Sequence, residues 1–141
     1  SMKNSNECGY ALIMSTEIIG LSHLEREIIA NVVRYNIRDF DYDMMQLETE
    51  AGQDLAGVSD RTAITILIAK LTAILRLANS MDKTHKAKLI DSRMAVRDGR
   101  LVITTGYQGD LALESASFEQ KAAFFEEIFG IRPVLKQKRR V

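Results

Sequence analysis

One cysteine, one proline and no tryptophan occur in 141 residues. A lone Cys8 closes no internal disulfide, which excludes a secreted disulfide scaffold and makes a reducing, cytoplasmic compartment the expectation. One cysteine and two histidines are too few for a zinc cluster. No apolar run reaches the roughly 18–20 residues of a membrane span, and no signal peptide opens the chain. A membrane protein is therefore not expected. There is no GxGxxG or Walker-type glycine loop, no nucleophile elbow, no internal repeat and no low-complexity stretch. Ser1 ahead of Met2 reads as an expression remnant, so the natural protein is expected to extend upstream.

What is present suits one domain, or two small subdomains sharing a core: the chain is 46% hydrophobic and 27% charged. A chain of this length buries roughly 70% of its unfolded surface without staples. Its zero net charge hides an asymmetry. Residues 1–60 hold 4 basic and 11 acidic side chains, net −7, whereas residues 61–100 hold 9 and 3, net +6. Two readings follow: a solvated mixed surface, or an anion site on the middle segment.

Tyr10–Ile19 reads as a short helix stopped by Gly20. Ser22-His23-Leu24-Glu25 is a capping box. Behind it, Leu24, Ile28, Ile29, Val32, Val33 and Tyr35 form a helical stripe to about Asn36. Residues 37–58 read as a polar, acidic loop with one helical turn near Met44–Leu47. Ser59 or Asp60 caps the longest helix, to about Met81. Its Ile64, Ile66, Leu67, Ile68, Leu71, Ile74, Leu75 and Leu77 cover most of the circumference, which predicts a central, buried helix. Thr72, Arg76, Asn79 and Lys83 line one face of it, with Lys86 one step on. An Arg in the middle of such a helix must meet a partner or an opening.

After Lys88 the period changes from 3.6 to 2. Ile90, Ser92, Met94 and Val96 alternate with Asp91, Arg93, Ala95 and Arg97. Asp98-Gly99 is a hairpin turn. Leu101–Tyr107 returns as a second strand, and Leu111–Glu114 reads as a third. Ser117-Phe118-Glu119-Gln120 reads as a second capping box. Its helix carries Phe118, Ala122, Phe125 and Phe129 on one face and stops at Gly130. Ile131–Lys136 is a last strand. The prediction is an α+β chain: a helical half, residues 1–88, then a small, mostly antiparallel β-β-β-α-β piece, residues 89–141.

Most residues capable of chemistry read as solvated. His23 at a helix start is expected to face solvent. Asp82 and His85 can meet on one helical turn but lack a third group. Asp39, Asp41 and Asp43 read as an acidic loop, and Lys136, Lys138, Arg139 and Arg140 as a frayed tail. Arg76, Lys83, His85, Lys86 and Lys88 remain, clustered at and beyond the end of the longest helix. Cations there favour the macrodipole, but five exceed what that requires. They point to a phosphate-rich ligand. A nucleic acid is not expected, because no aromatic residue stands among them.

The segment Leu71-Thr72-Ala73-Ile74-Leu75-Arg76-Leu77-Ala78-Asn79-Ser80-Met81-Asp82-Lys83-Thr84-His85 resembles L-x-A-I-L-R-L-A-D-A-L-D-R-S-H of the exopolyphosphatase / guanosine pentaphosphate phosphohydrolase (Ppx/GppA) family. Gly20-Leu21-Ser22 through Glu25-Arg26-Glu27-Ile28-Ile29-Ala30-Asn31-Val32-Val33-Arg34-Tyr35 is similar to the same family's stretch before its longest helix. The resemblance covers about residues 9–90. It implies a C-terminal accessory region: an HD-like helical fold followed by a small α+β piece. That region would contribute to a polyphosphate channel and a dimer contact. The implied partners are the parent protein's N-terminal actin-like ATPase-type domain, polyphosphate or guanosine pentaphosphate, and a second copy. Three departures stand out. Asn79 replaces an Asp and Asn36 a His, and Asn6-Glu7-Cys8-Gly9 stands where the family has a His-rich stretch. No metal and no cofactor are therefore expected, and no catalysis by this chain alone. Arg76, Asp82 and His85 match the pattern, and Lys83 replaces Arg. The alternative is a structural dimerisation module without ligand.

Overall fold

A computed structural model describes residues 2–36, 40 and 58–138. Among these, α1 (Met2–Ser15), α2 (His23–Arg34), α3 (Val58–Met81), β1 (Arg93–Arg97), β2 (Arg100–Thr105), α4 (Ala112–Phe129) and β3 (Arg132–Gln137) follow in order. The class is α+β as expected, with helices first and the sheet near the C-terminal end. Two compact units divide the chain, Ser1–Thr72 and Ala73–Val141. The loop expected over residues 37–58, with its turn near Met44–Leu47, lies outside the described residues except for Phe40 and Val58.

In the first unit α1 starts earlier than its periodicity suggests and stops at Ser15, short of Gly20. The Ser15 and Thr16 hydroxyls both donate to the Leu12 carbonyl, at 3.0 and 2.8 Å. Side chains that take the last-turn carbonyls compete with further helix. The Ser22 capping box forms as read: the Ser22 hydroxyl accepts the Glu25 N–H at 3.1 Å, and the Glu25 carboxylate accepts the Ser22 N–H at 3.3 Å. Helix α1 packs on α2 at Gly9, where a Cβ would lie 2.8 Å from a Val33 methyl. The Arg34 guanidinium sits 3.4 Å from the centre of the Tyr10 ring and bonds Glu7 at 3.2 Å. The deepest α2 positions are Glu27, Ala30 and Asn31; of the apolar stripe Tyr35 is buried, Leu24, Ile28, Val32 and Val33 are half-buried, and Ile29 is exposed.

Helix α3 corrects the expectation of a buried central rod. Its sequestered residues form one face: Ile68, Ala69, Thr72, Ala73, Arg76, Leu77 and Ser80. Ile66, Leu67, Leu71 and Ile74 are exposed. The polar stripe is therefore turned inward at Thr72 and Arg76, while Asn79 faces out. Small residues at Ala69, Ala73 and Ser80 permit close packing on that face, which apolar counting around the helix does not register. The helix already includes Ser59 and Asp60 instead of starting behind them. By length and composition, Arg61–Met81 does reach the measure of a membrane span, with 21 residues and a mean hydropathy of 1.5. This departs from the expectation that no apolar run is long enough to span a membrane. Lys70, Arg76 and the buried hydroxyls of Thr72 and Ser80 interrupt its apolar character.

In the second unit the sheet order is β1-β2-β3. Strands β1 and β2 are antiparallel, with Arg93 opposite Thr104 and Arg97 opposite Arg100. Asp98 and Gly99 close the hairpin at φ 51° and 72°, the two left-handed positions that such a turn demands. Strands β2 and β3 are parallel, Val102 opposite Val134, because α4 carries the chain back between them. The sheet is thus mixed, and its order is β-β-α-β.

The predicted strand Leu111–Glu114 does not exist. Helix α4 begins at Ala112 with Leu111 as its N-cap, its Ala112 N–H donating to the Asp110 carboxylate at 2.9 Å, and Ser117 lies inside the helix. The helix ends at Gly130, φ 73°, as read. Its Phe118, Ala122 and Phe125 are buried, and Phe118 and Phe125 join Ala73, Leu77 and Ile103 in the core. Phe118 is 0% exposed. Phe118→Ala is expected to cost about 3–5 kcal/mol, read as a lower urea midpoint at unchanged denaturant slope.

Candidate functional site

The cations singled out by the sequence lie at and beyond the C-terminal end of α3, all in the second unit. The chain does not leave this helix freely. The Asp82 N–H donates to the Asn79 carbonyl at 3.2 Å, and the His85 N–H to the Asp82 carbonyl at 3.0 Å. The Asp82 carboxylate then accepts the Ala87 N–H at 3.0 Å. Two residues with side chains, His85 (φ 57°) and Ala87 (φ 50°), take left-handed backbone conformations within this turn. Each such position carries strain of order 1 kcal/mol, so the surrounding bonds must hold it.

The five basic groups then separate into two kinds. Lys83, His85 and Lys86 are exposed on the turn. The His85 ring lies 3.8 Å from the Asp82 carboxylate and is 89% exposed, so this pair is a solvated surface contact. Arg76 and Lys88 point inward. The Arg76 guanidinium lies 4.8 Å from the centre of the Phe124 ring, a partner that answers how a helix interior accommodates an Arg. Lys88 Nζ donates to Glu114 at 3.0 Å and to the Asp110 carbonyl at 2.9 Å. Its side chain is 14% exposed and that of Glu114 only 1%.

Other expected positions are simply placed. His23 is exposed, with its Nδ1 2.8 Å from Arg26 Nη2. Asn79 is exposed and Asn36 half-buried. Among the described residues no three His, Cys, Asp or Glu side chains converge. Asp39, Asp41, Asp43, Arg139 and Arg140 lie outside the described residues. Lys136 and Lys138 are not a frayed tail. Lys136 belongs to β3, and the Lys138 N–H donates to the Thr105 carbonyl at 2.8 Å.

One grouping escaped the sequence reading. Arg93, Arg97 and Lys138 border a half-open hollow of about 510 Å³ over the sheet, with Val102, Thr104 and Asp91. The alternation of Arg93 and Arg97 was visible. Their meeting with Lys138 depends on the parallel return of β3, which local pattern does not announce.

Fold and turn together define an α+β chain presenting a fixed cationic surface turn. No family model matches the chain, and no curated protein matches it.

The buried pair gives a pH signature. The hydrogen bond that the Lys88 ammonium donates to Glu114 outweighs partial burial and holds that ammonium above its ordinary value of 10.5. A group bound more tightly to its proton in the folded state stabilises fully below its unfolded value and loses that contribution as pH rises through its folded one. The melting temperature is therefore expected to fall as pH rises above 10.5. In Lys88→Met that alkaline step should be reduced, and the variant should already melt lower at pH 7, because Glu114 keeps its burial without its partner.

Proposed function

We propose that this chain is the C-terminal accessory region of an exopolyphosphatase-like phosphoanhydride hydrolase. It takes part of a polyphosphate chain, or the phosphates of guanosine pentaphosphate, and it does no chemistry alone. The observation that carries this reading is the strained, bonded turn that presents Lys83, His85 and Lys86 to solvent. It stands at the end of the segment resembling that family. Ammonium groups act as point charges toward phosphate oxygens and require no bidentate geometry. Arg76 and Lys88 serve this surface from behind, by fixing α3 and α4. The parent protein's actin-like ATPase-type domain would supply the catalysis, in a cytoplasmic homodimer.

A second reading has its own support. Ile66, Leu67, Leu71 and Ile74 form an exposed apolar side of α3, which suits a structural dimerisation module that binds no anion.

Titration with polyphosphate of defined length separates the two. On the first reading, Lys83→Ala and Lys86→Ala each weaken binding by roughly tenfold, the order of one charged hydrogen bond, at unchanged melting temperature. Affinity also falls steeply with salt as counterions are released. Arg76→Ala lowers stability first. If neither lysine variant changes affinity, or no salt-dependent binding occurs, the structural reading stands.

A further inference from the structure

The outer edge of the sheet carries an arrangement that the anion site does not use. Strand β1 ends the order β1-β2-β3, and among the described residues no strand pairs with its other side. In a hairpin closed by two residues, the pair flanking the turn exchanges both main-chain hydrogen bonds, and bonded and non-bonded pairs then alternate. Here the flanking pair is Arg97 with Arg100. Arg93, Ala95 and Arg97 therefore turn their main-chain groups to β2, and Met94 and Val96 turn theirs outward. Side chains alternate with the same period. Arg93 and Arg97 stand at the hollow with Lys138. Met94 and Val96 alternate with them along the strand, 61% and 64% exposed, and Met94 also borders the hollow beside Asp91. The chain's proline, Pro133, lies in β3 and leaves this edge unblocked.

An open strand edge is a template for another strand. A second copy of β1 is a poor occupant in the registers that keep its arginines opposite one another. Antiparallel pairing centred on Ala95 sets Arg93 against Arg97, and in-register parallel pairing sets each Arg against itself, adding to the Arg97–Arg100 pair already present; like charges directly opposite destabilise a ladder. A phosphate chain is also poor here, because it has no amide groups to meet those of Met94 and Val96. A segment of alternating acidic and apolar residues satisfies both faces. Its carboxylates fall beside Arg93, Arg97 and Lys138, its apolar side chains beside Met94 and Val96, and its main chain on the edge.

We propose that β1 accepts, by strand addition, an extended protein segment in which acidic and apolar side chains alternate. The test uses the full chain and a fluorescein-labelled octapeptide of alternating glutamate and valine, followed by anisotropy. A peptide of the same composition in two blocks, and one alternating lysine and valine, serve as comparators. The alternating acidic peptide is expected to bind at least about tenfold tighter than either, since only it makes ladder and charge contacts together. Val96→Pro deletes an outward N–H without touching the β1–β2 bonds and should abolish the difference. Arg93→Gln with Arg97→Gln should do the same. Where Val96→Pro lowers the melting temperature, N-methylation of alternate peptide amides removes the same bonds from the other side and should abolish binding in the unaltered protein. Equal binding of the block peptide, or full binding of the N-methylated one, overturns strand addition. Self-association that Val96→Pro abolishes would make a second copy the occupant and overturn the proposal.

Discussion

The Lys88–Glu114 contact joins two elements of the second unit through a largely buried ion pair. Glu114 sits in the first turn of α4, where a negative charge is favoured by the helix dipole. It is nevertheless almost fully removed from water. Such a carboxylate is tolerated only with a positive partner. Lys88 supplies that partner from the connection between α3 and β1 and also donates to the carbonyl of Asp110. The side chain of Asp110 in turn accepts the N–H of Ala112, the first residue of α4. One ammonium group therefore ties the end of the α3 turn to the beginning of the helix that covers the sheet. Phe118, one turn further along α4, packs in the core with Ile103 and Leu77.

This tie explains why neighbouring cations serve different ends. Arg76 and Lys88 are inward and committed to Phe124 and Glu114. The chain between them has to turn sharply, through two left-handed residues, to bring Lys88 back under α4. Lys83, His85 and Lys86 are left on the outside of that turn. A cationic surface thus arises from the geometry that buries a cation nearby. The charge imbalance follows the division into units: residues 1–72 carry 6 basic and 11 acidic side chains, and residues 73–141 carry 13 and 8.

The features legible in the sequence are those made by neighbours along it. The Ser22–Glu25 box, the Asp98-Gly99 turn, the Gly130 stop and the Phe118, Ala122, Phe125 face each depend on residues within one or two turns. The errors arise where a distant or competing group decides. Leu111–Glu114 alternates like a strand, but Ala112 onward is the first turn of α4, with the Asp110 carboxylate accepting the Ala112 N–H. Helix α3 is apolar nearly all round, so pattern alone could not choose its inward side; small residues chose it. Of the five basic groups, the sequence found the cluster but not its division, because Glu114 lies 26 positions from Lys88 and Phe124 is more remote still from Arg76. The hollow at Arg93, Arg97 and Lys138 needed the parallel pairing of β3.

The central claim is that the exposed turn meets the phosphate chain while the inward cations hold it in place. Backbone amide shifts recorded during a titration with polyphosphate test this most directly. The account predicts saturable shifts at Lys83, His85 and Lys86 that vanish at high salt, with the amides of Phe118 and Phe125 unmoved. Shifts absent from that turn, or confined to β1, would contradict it.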